Sequence, residues 1–220
     1  MTDAVVFDLD GLLLDTEQVW DEVREALTRE RGGRWHDRAQ ADMMGMSSTE
    51  WSRYMHDELG LAEPPEELNG LVVERMQERY RNGLPLIDGA VDAVRRLATR
   101  WPLGLASSSN RPLIDLALRE MGVDELFRAT VSSEEVERGK PAPDVYVEAA
   151  RRLGTAPERV VAIEDSANGI RSARAAGMGV VAIPNPHFPP PEDALGLAGV
   201  RLDSLAGLTP DAVESASRRP

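Results

Sequence analysis

Two carboxylates one residue apart, Asp8 and Asp10, follow the apolar run Val5-Val6-Phe7 and precede Gly11. Charges so close must be solvated, hydrogen-bonded or held on a cation, because burying them unpaired is expensive. A second acidic pair, Glu164-Asp165, follows Val160-Val161-Ala162-Ile163 in the same way and leads into Ser166. Between them come Ser107-Ser108-Ser109-Asn110, after Leu103-Gly104-Leu105-Ala106, and Lys140, flanked by Gly139 and Pro141. Each alone has an ordinary reading: an acidic turn, a set of helix caps, a surface lysine, an acidic helix N-terminus. Their combination points to a shared cation and a phosphate. Oxygen ligands from Asp8, Asp10 and Asp165 suit Mg²⁺, a hard ion that bridges carboxylates to phosphate. Hydroxyls and free N–H groups at a helix start seat a phosphate, and a lysine in a fixed loop neutralises one.

Such residues need elements that end side by side, and an open α/β sheet supplies them, because ligands bind there at the carboxyl ends of the strands. From residue 84 onward short apolar strands alternate with helices. Strands are predicted over Leu103–Ala106, Ala129–Val131, Val160–Ile163 and Gly179–Ile183. Helices are predicted up to Met121, over Pro143–Leu153 and over about Asn168–Ala176, with Gly154 and Gly177 as stops. Asp88 is placed to cap a further helix carrying Val91, Val94 and Leu97. This rhythm predicts an α/β fold: a Rossmann-like, mostly parallel sheet with helices on both faces.

Residues 16–83 break the rhythm. Thr16 is placed to cap a helix reaching about Arg31, with Val19, Val23 and Leu27 on one face and Gly32-Gly33 ending it. Ser47 and Glu50 have capping-box spacing, followed by Trp51, Met55 and Leu59 at every fourth residue. After Pro64-Pro65, Leu68, Val72, Met76 and Tyr80 form another stripe, and Asn82-Gly83-Leu84-Pro85 reads as a return linker. The reading is an all-helical cap over 16–83, inserted in a core made of 1–15 and 84–220. Beyond Ile183, five prolines exclude regular structure for several residues. Leu202, Leu205 and Leu208 read as a final turn, Thr209-Pro210 as the start of a last helix, and 217–220 as frayed.

Bulk properties narrow the partners. The chain has 220 residues, enough for a substantial core, with 38 acidic and 25 basic side chains and a formal charge of −13. That field disfavours nucleic acid and suits a divalent cation. With no cysteine, disulfides and thiolate chemistry are excluded, and His36, His56 and His187 show no ligand spacing. No apolar run has the length of a membrane span and no signal-like segment opens the chain, so a cytoplasmic protein is expected.

Asp8-Leu9-Asp10-Gly11, Ser107, Lys140 within Gly-Lys-Pro-Ala-Pro-Asp-Val-Tyr, and Glu164-Asp165-Ser166 resemble, in order, the four motifs of the haloacid dehalogenase superfamily. The nearer resemblance is to its small-molecule phosphatases and β-phosphoglucomutases, which carry a helical cap between the first two motifs. The resemblance implies that Asp8 is a nucleophile forming an aspartyl-phosphate. It implies that Asp10 serves as acid and then base, with its carbonyl in the metal shell. Ser107, with Ser108, would hold phosphoryl oxygens, and Lys140 would stabilise charge beside Asp8. Asp165 would ligate Mg²⁺, with Glu164 supporting that shell directly or through water. An acid/base at Asp10 is what ester hydrolysis needs and halide displacement does not.

Selectivity then falls to the cap, where Trp20, Met44 and Trp51, with Met43 and Met46, are substrate candidates, although their spacing also fits a cap core. Family mutases place a histidine at the position of Trp20 and an arginine near Ser48 or Thr49, and neither basic group is here. The expectation is a phosphatase for a small sugar, polyol or glycolate-type monoester without a second strong charge. A β-phosphoglucomutase-like enzyme and a non-catalytic binding protein are the alternatives.

Overall fold

The computed structural model describes residues 1–43 and 46–217. Its centre is β1 (Ala4–Phe7), whose four residues are fully buried and carry no polar side chain. Strand β1 lies between β2 (Leu103–Ser107) and β4 (Val160–Glu164), with β3 (Phe127–Ser132), β5 (Gly179–Ala182) and β6 (Val200–Arg201) completing a six-stranded sheet of order β3-β2-β1-β4-β5-β6. Every pairing is parallel. The fold is therefore the Rossmann-like α/β class, with an apolar cluster on each face of the sheet as parallel strands require.

Register decides where the chemistry falls. Phe7 is level with Leu105 on one side and Ile163 on the other, so Asp8, Ser107 and Glu164 leave the sheet at one edge. Helices α1 (Glu17–Glu30), α2 (Ala39–Met43), α3 (Ser48–Asp57) and α4 (Pro65–Asn82) form an insertion after β1. Trp51, Met55, Leu59, Leu68, Val72, Met76 and Tyr80 are all buried in it, as their four-residue spacing predicts. Outgoing and returning chains are tied together: Asp15 N–H donates to the Pro85 carbonyl at 2.8 Å and Ile87 N–H to the Leu13 carbonyl at 3.0 Å.

After the insertion come α5 (Ala90–Ala98), α6 (Arg111–Met121), α7 (Asp144–Leu153), α8 (Ala167–Ala175), the one-turn α9 (Glu192–Leu195) and α10 (Pro210–Ala216). Thr209 caps α10, accepting from Ala212 N–H at 3.3 Å. Two local expectations are corrected. Thr16 stands at the N-cap of α1 but makes no cap bond, because its hydroxyl donates to Asp10 instead, at 2.6 Å. Gly89, not Asp88, is the N-cap of α5. Leu205 and Leu208 are buried at a short turn with Leu202 packed beside them, as read, and just before them comes the edge strand β6, whose two residues are too few for periodicity to reveal. The expected fraying at 218–220 lies outside the described residues. Among the described residues, no helix is long and apolar enough to cross a membrane.

Candidate active site

Asp8 is the first residue past β1, and its N–H still donates to the Ile163 carbonyl of β4 at 3.0 Å. The carboxylate is therefore anchored at the sheet edge. Lys140, from the loop before α7, reaches in: its Nζ lies 2.8 Å from Asp8 Oδ1 and 2.6 Å from Glu164 Oε1, with all three side chains buried. Burial opposes the charge on Lys140, but the two carboxylates outweigh it and hold its pKa above the usual lysine range. For Asp8 burial dominates, and despite Lys140 the pKa rises to about 7, with Glu164 and Asp10 adding to the rise.

Glu164 spends both oxygens inside the protein. Oε1 accepts from Lys140 and from Tyr146 Oη at 2.7 Å, while Oε2 accepts from the Asp165 and Ser166 N–H groups and from Ser166 Oγ at 3.1, 3.2 and 3.0 Å. So satisfied a carboxylate holds Lys140 and the next loop in position. It approaches α8 so closely that a Cβ on Gly169 would stand 1.7 Å from Oε1. Gly11 is constrained in the same way: its φ is 80°, and an added Cβ would lie 2.2 Å from Asp165 Oδ2. These two glycines let the backbone pack against the acids.

Asp165 is the contrasting case. Among the described residues its Oδ1 is buried without a hydrogen-bond partner, and burial, Glu164 and Asp8 together push its pKa well above the carboxylate range. A buried oxygen left so exposed in energy asks for a cation. Asp8, Glu164 and Asp165 each offer an oxygen, all within 4.8 Å of one another. An all-oxygen set with one orphaned member fits Mg²⁺.

Asp10 sits across the opening. Its Oδ1 accepts from Thr16 Oγ1 at 2.6 Å and Trp20 Nε1 at 3.3 Å, both from the insertion side, and its Oδ2 from Ser109 Oγ at 2.6 Å and Ser107 Oγ at 3.4 Å. Ser107 is fully buried, with its Oγ accepting from Ser109 N–H at 2.9 Å and lying 3.4 Å from Asp10 Oδ2. Ser108 and Ser109 are the ones that line the cavity. The strand simply runs one residue further than the apolar pattern shows, taking Ser107 into β2.

These groups open into a cavity of about 500 Å³ roofed by the insertion. Trp20 and Trp51 form part of that roof, as do Met43 and Met46, while Met44 lies outside the described residues. Trp51 serves both roles considered for it, since it is also 2% exposed within the insertion's core. Sequence reasoning missed four contributors. Asn185 and the Phe188–Pro191 stretch close one side, where the prolines had signalled only the absence of regular structure. Glu17 and Arg24 line the cavity from α1, and burial pushes Glu17 up to about 7 and Arg24 down to about 10. Arg24 is a charged group beyond the cap candidates Trp20, Met44 and Trp51 read from the sequence. Glu17, Trp20 and Arg24 share one helical face, but that spacing alone does not tell a cavity-lining face from a solvated one.

Acids, a buried lysine and hydroxyls at the carboxyl edge of a Rossmann-like sheet, under a helical roof, are equipped for the chemistry of phosphate esters. A family model described as haloacid dehalogenase-like hydrolase matches residues 2–177. The chain belongs to that family and is an enzyme of the phosphoric monoester hydrolase class. Hexitol phosphatase B of Escherichia coli (strain K12) is 32% identical, the match covering 94% of each chain. (DL)-glycerol-3-phosphatase 2 of Arabidopsis thaliana is 33% identical over 84% of this chain and 80% of that one. Among solved structures, CbbY from Rhodobacter sphaeroides in complex with phosphate superposes with a TM-score of 0.86 at 26% identity, covering 97% of this chain and all of that one.

Proposed function

We propose that the protein is a Mg²⁺-dependent phosphatase that hydrolyses a small-molecule phosphate monoester, of the sugar, polyol or glycolate type, through an aspartyl-phosphate on Asp8. In this reading residues 1–15 and 84–220 are the catalytic core and 16–83 a cap that excludes water over it. The observation that carries it is the pairing of Asp8 with Lys140 at 2.8 Å, beside an Asp165 oxygen that has no partner. Similarity to phosphatases named for hexitol and glycerol phosphates supports the substrate class.

Asp8 attacks phosphorus while Lys140 neutralises charge on the phosphoryl oxygens, and Ser108 and Ser109 hold those oxygens against the start of α6. Asp10 delivers a proton to the leaving alcohol oxygen, then takes one from the water that attacks the phosphoenzyme. A Mg²⁺ held by Asp8 and Asp165, with Glu164 supporting, would mask the phosphate charge that otherwise repels a carboxylate nucleophile. Phosphate release from an aryl phosphate and a panel of polyol and sugar phosphates, with Mg²⁺ and with chelator, tests the reading. Release that depends on Mg²⁺ is expected, and no release from any ester overturns it. Sugar 1-phosphates with a bisphosphate activator separate hydrolysis from phosphoryl transfer between sugars.

A further inference from the structure

Arg24 is 6% exposed, and its Nε is buried without a hydrogen-bond partner among the described residues. Its guanidinium carbon lies 4.6 Å over the Trp20 ring and 4.8 Å over the Trp51 ring. The two indoles stand 6.1 Å apart and are tilted by 57°. Their faces fix the guanidinium plane and leave its N–H edge to be satisfied by something else. An arginine buried only to hold the fold together would have its donors paired within the protein. This one instead lines the same cavity as Asp8, Asp10 and Glu17.

The surrounding charge says what belongs there. Glu17, Asp10 and Asp21 are the carboxylates whose fields act on Arg24, three acids around one cation. An acidic leaving group entering this space would be repelled on balance. A hydroxyl group meets a donor in Arg24 and an acceptor in Glu17, and can use both at once. The Trp20 indole also donates to Asp10 Oδ1 at 3.3 Å, so this part of the cavity adjoins the group assigned to protonate the leaving oxygen.

We propose that Arg24 and Glu17 form the leaving-group subsite of this enzyme, and that they select a neutral, polyhydroxylated alcohol by hydrogen-bonding its hydroxyls. The proposal rests on the phosphatase reading above and narrows it, removing glycolate-type esters from the substrate class.

The test compares sorbitol 6-phosphate with hexyl phosphate, which has the same chain length but no free hydroxyls. Wild-type kcat/KM is expected to favour the polyol ester, and Arg24→Met to shrink that preference about 10- to 100-fold. Arg24→Lys and Glu17→Gln, each checked by thermal melting, carry the test if Arg24→Met fails to fold. Calorimetric binding of the same two esters to Asp8→Asn, with and without Arg24→Met, gives a readout that needs no turnover. A preference that the substitutions leave unchanged overturns the subsite, as does a wild-type preference for 3-phosphoglycerate over glycerol 3-phosphate. Binding discrimination that depends on Arg24 in a protein that hydrolyses neither ester keeps the subsite and defeats the phosphatase reading. Hydrolysis without discrimination does the reverse.

Discussion

Lys140 and Asp8 form a buried ion pair, Nζ to Oδ1 at 2.8 Å, and the same ammonium serves Glu164 at 2.6 Å. One cation thus offsets two buried acids. Lys140→Met should cost about 3 to 5 kcal/mol, since it strands both carboxylates. Denaturant unfolding in chelator measures this, and a loss below about 1 kcal/mol would show that the acids simply protonate.

Asp8→Asn keeps the size of the side chain and removes the nucleophile. Turnover should fall at least about 1000-fold while the far-ultraviolet dichroism and melting behaviour stay close to wild type. Full activity in this variant would sink the covalent mechanism.

Burial raises Asp8 to about 7 and Asp165 well above its usual range. In metal-free protein both therefore retain protons that the unfolded chain has released. Their contribution to stability is fully present below about pH 4, the unfolded carboxylate range, and is lost as pH rises through the folded values. Mg²⁺ competes with those same protons, so its stabilisation should grow over that interval. Melting temperatures in chelator and in excess Mg²⁺, at about pH 5 and about pH 7.5, decide the point. A metal-induced gain of equal size at both pH values counts against Asp8 and Asp165 as ligands.

Gly169→Ala would drive a methyl into the Glu164 carboxylate in the first turn of α8. A cost of about 1 to 3 kcal/mol is expected, with a parallel fall in activity as Lys140 loses its anchor. Gly70 in α4 has open space around its added Cβ, so Gly70→Ala should be neutral or stabilising by up to about 1 kcal/mol. Equal effects at both positions would remove the steric argument.

The layout of the core was readable because its elements carry strong local signals. The run Val160–Ile163 has no polar residue to confuse a strand with, and the acids that follow it are out of place anywhere but at a strand end. Trp51, Met55 and Leu59 likewise declare a helix face, and all three are buried. What escaped depends on contacts distant in sequence. Thr16 has the chemistry of a cap, yet a carboxylate six residues earlier competes for its hydroxyl. Arg24 reads as one more charge in α1 beside Glu22, Glu25 and Arg29, and only the approach of Trp51 from α3 reveals it as a buried group. Ser109 looks interchangeable with Ser107 and Ser108 until the turn after β2 aims its hydroxyl at Asp10.

Asp10 is held on both sides, by Thr16 and Trp20 through Oδ1 and by Ser109 through Oδ2. Under the proposed mechanism a leaving oxygen therefore meets a carboxyl already engaged by its neighbours, and the readiness of Asp10 to pass a proton depends on Thr16, Trp20 and Ser109 as much as on the aspartate itself.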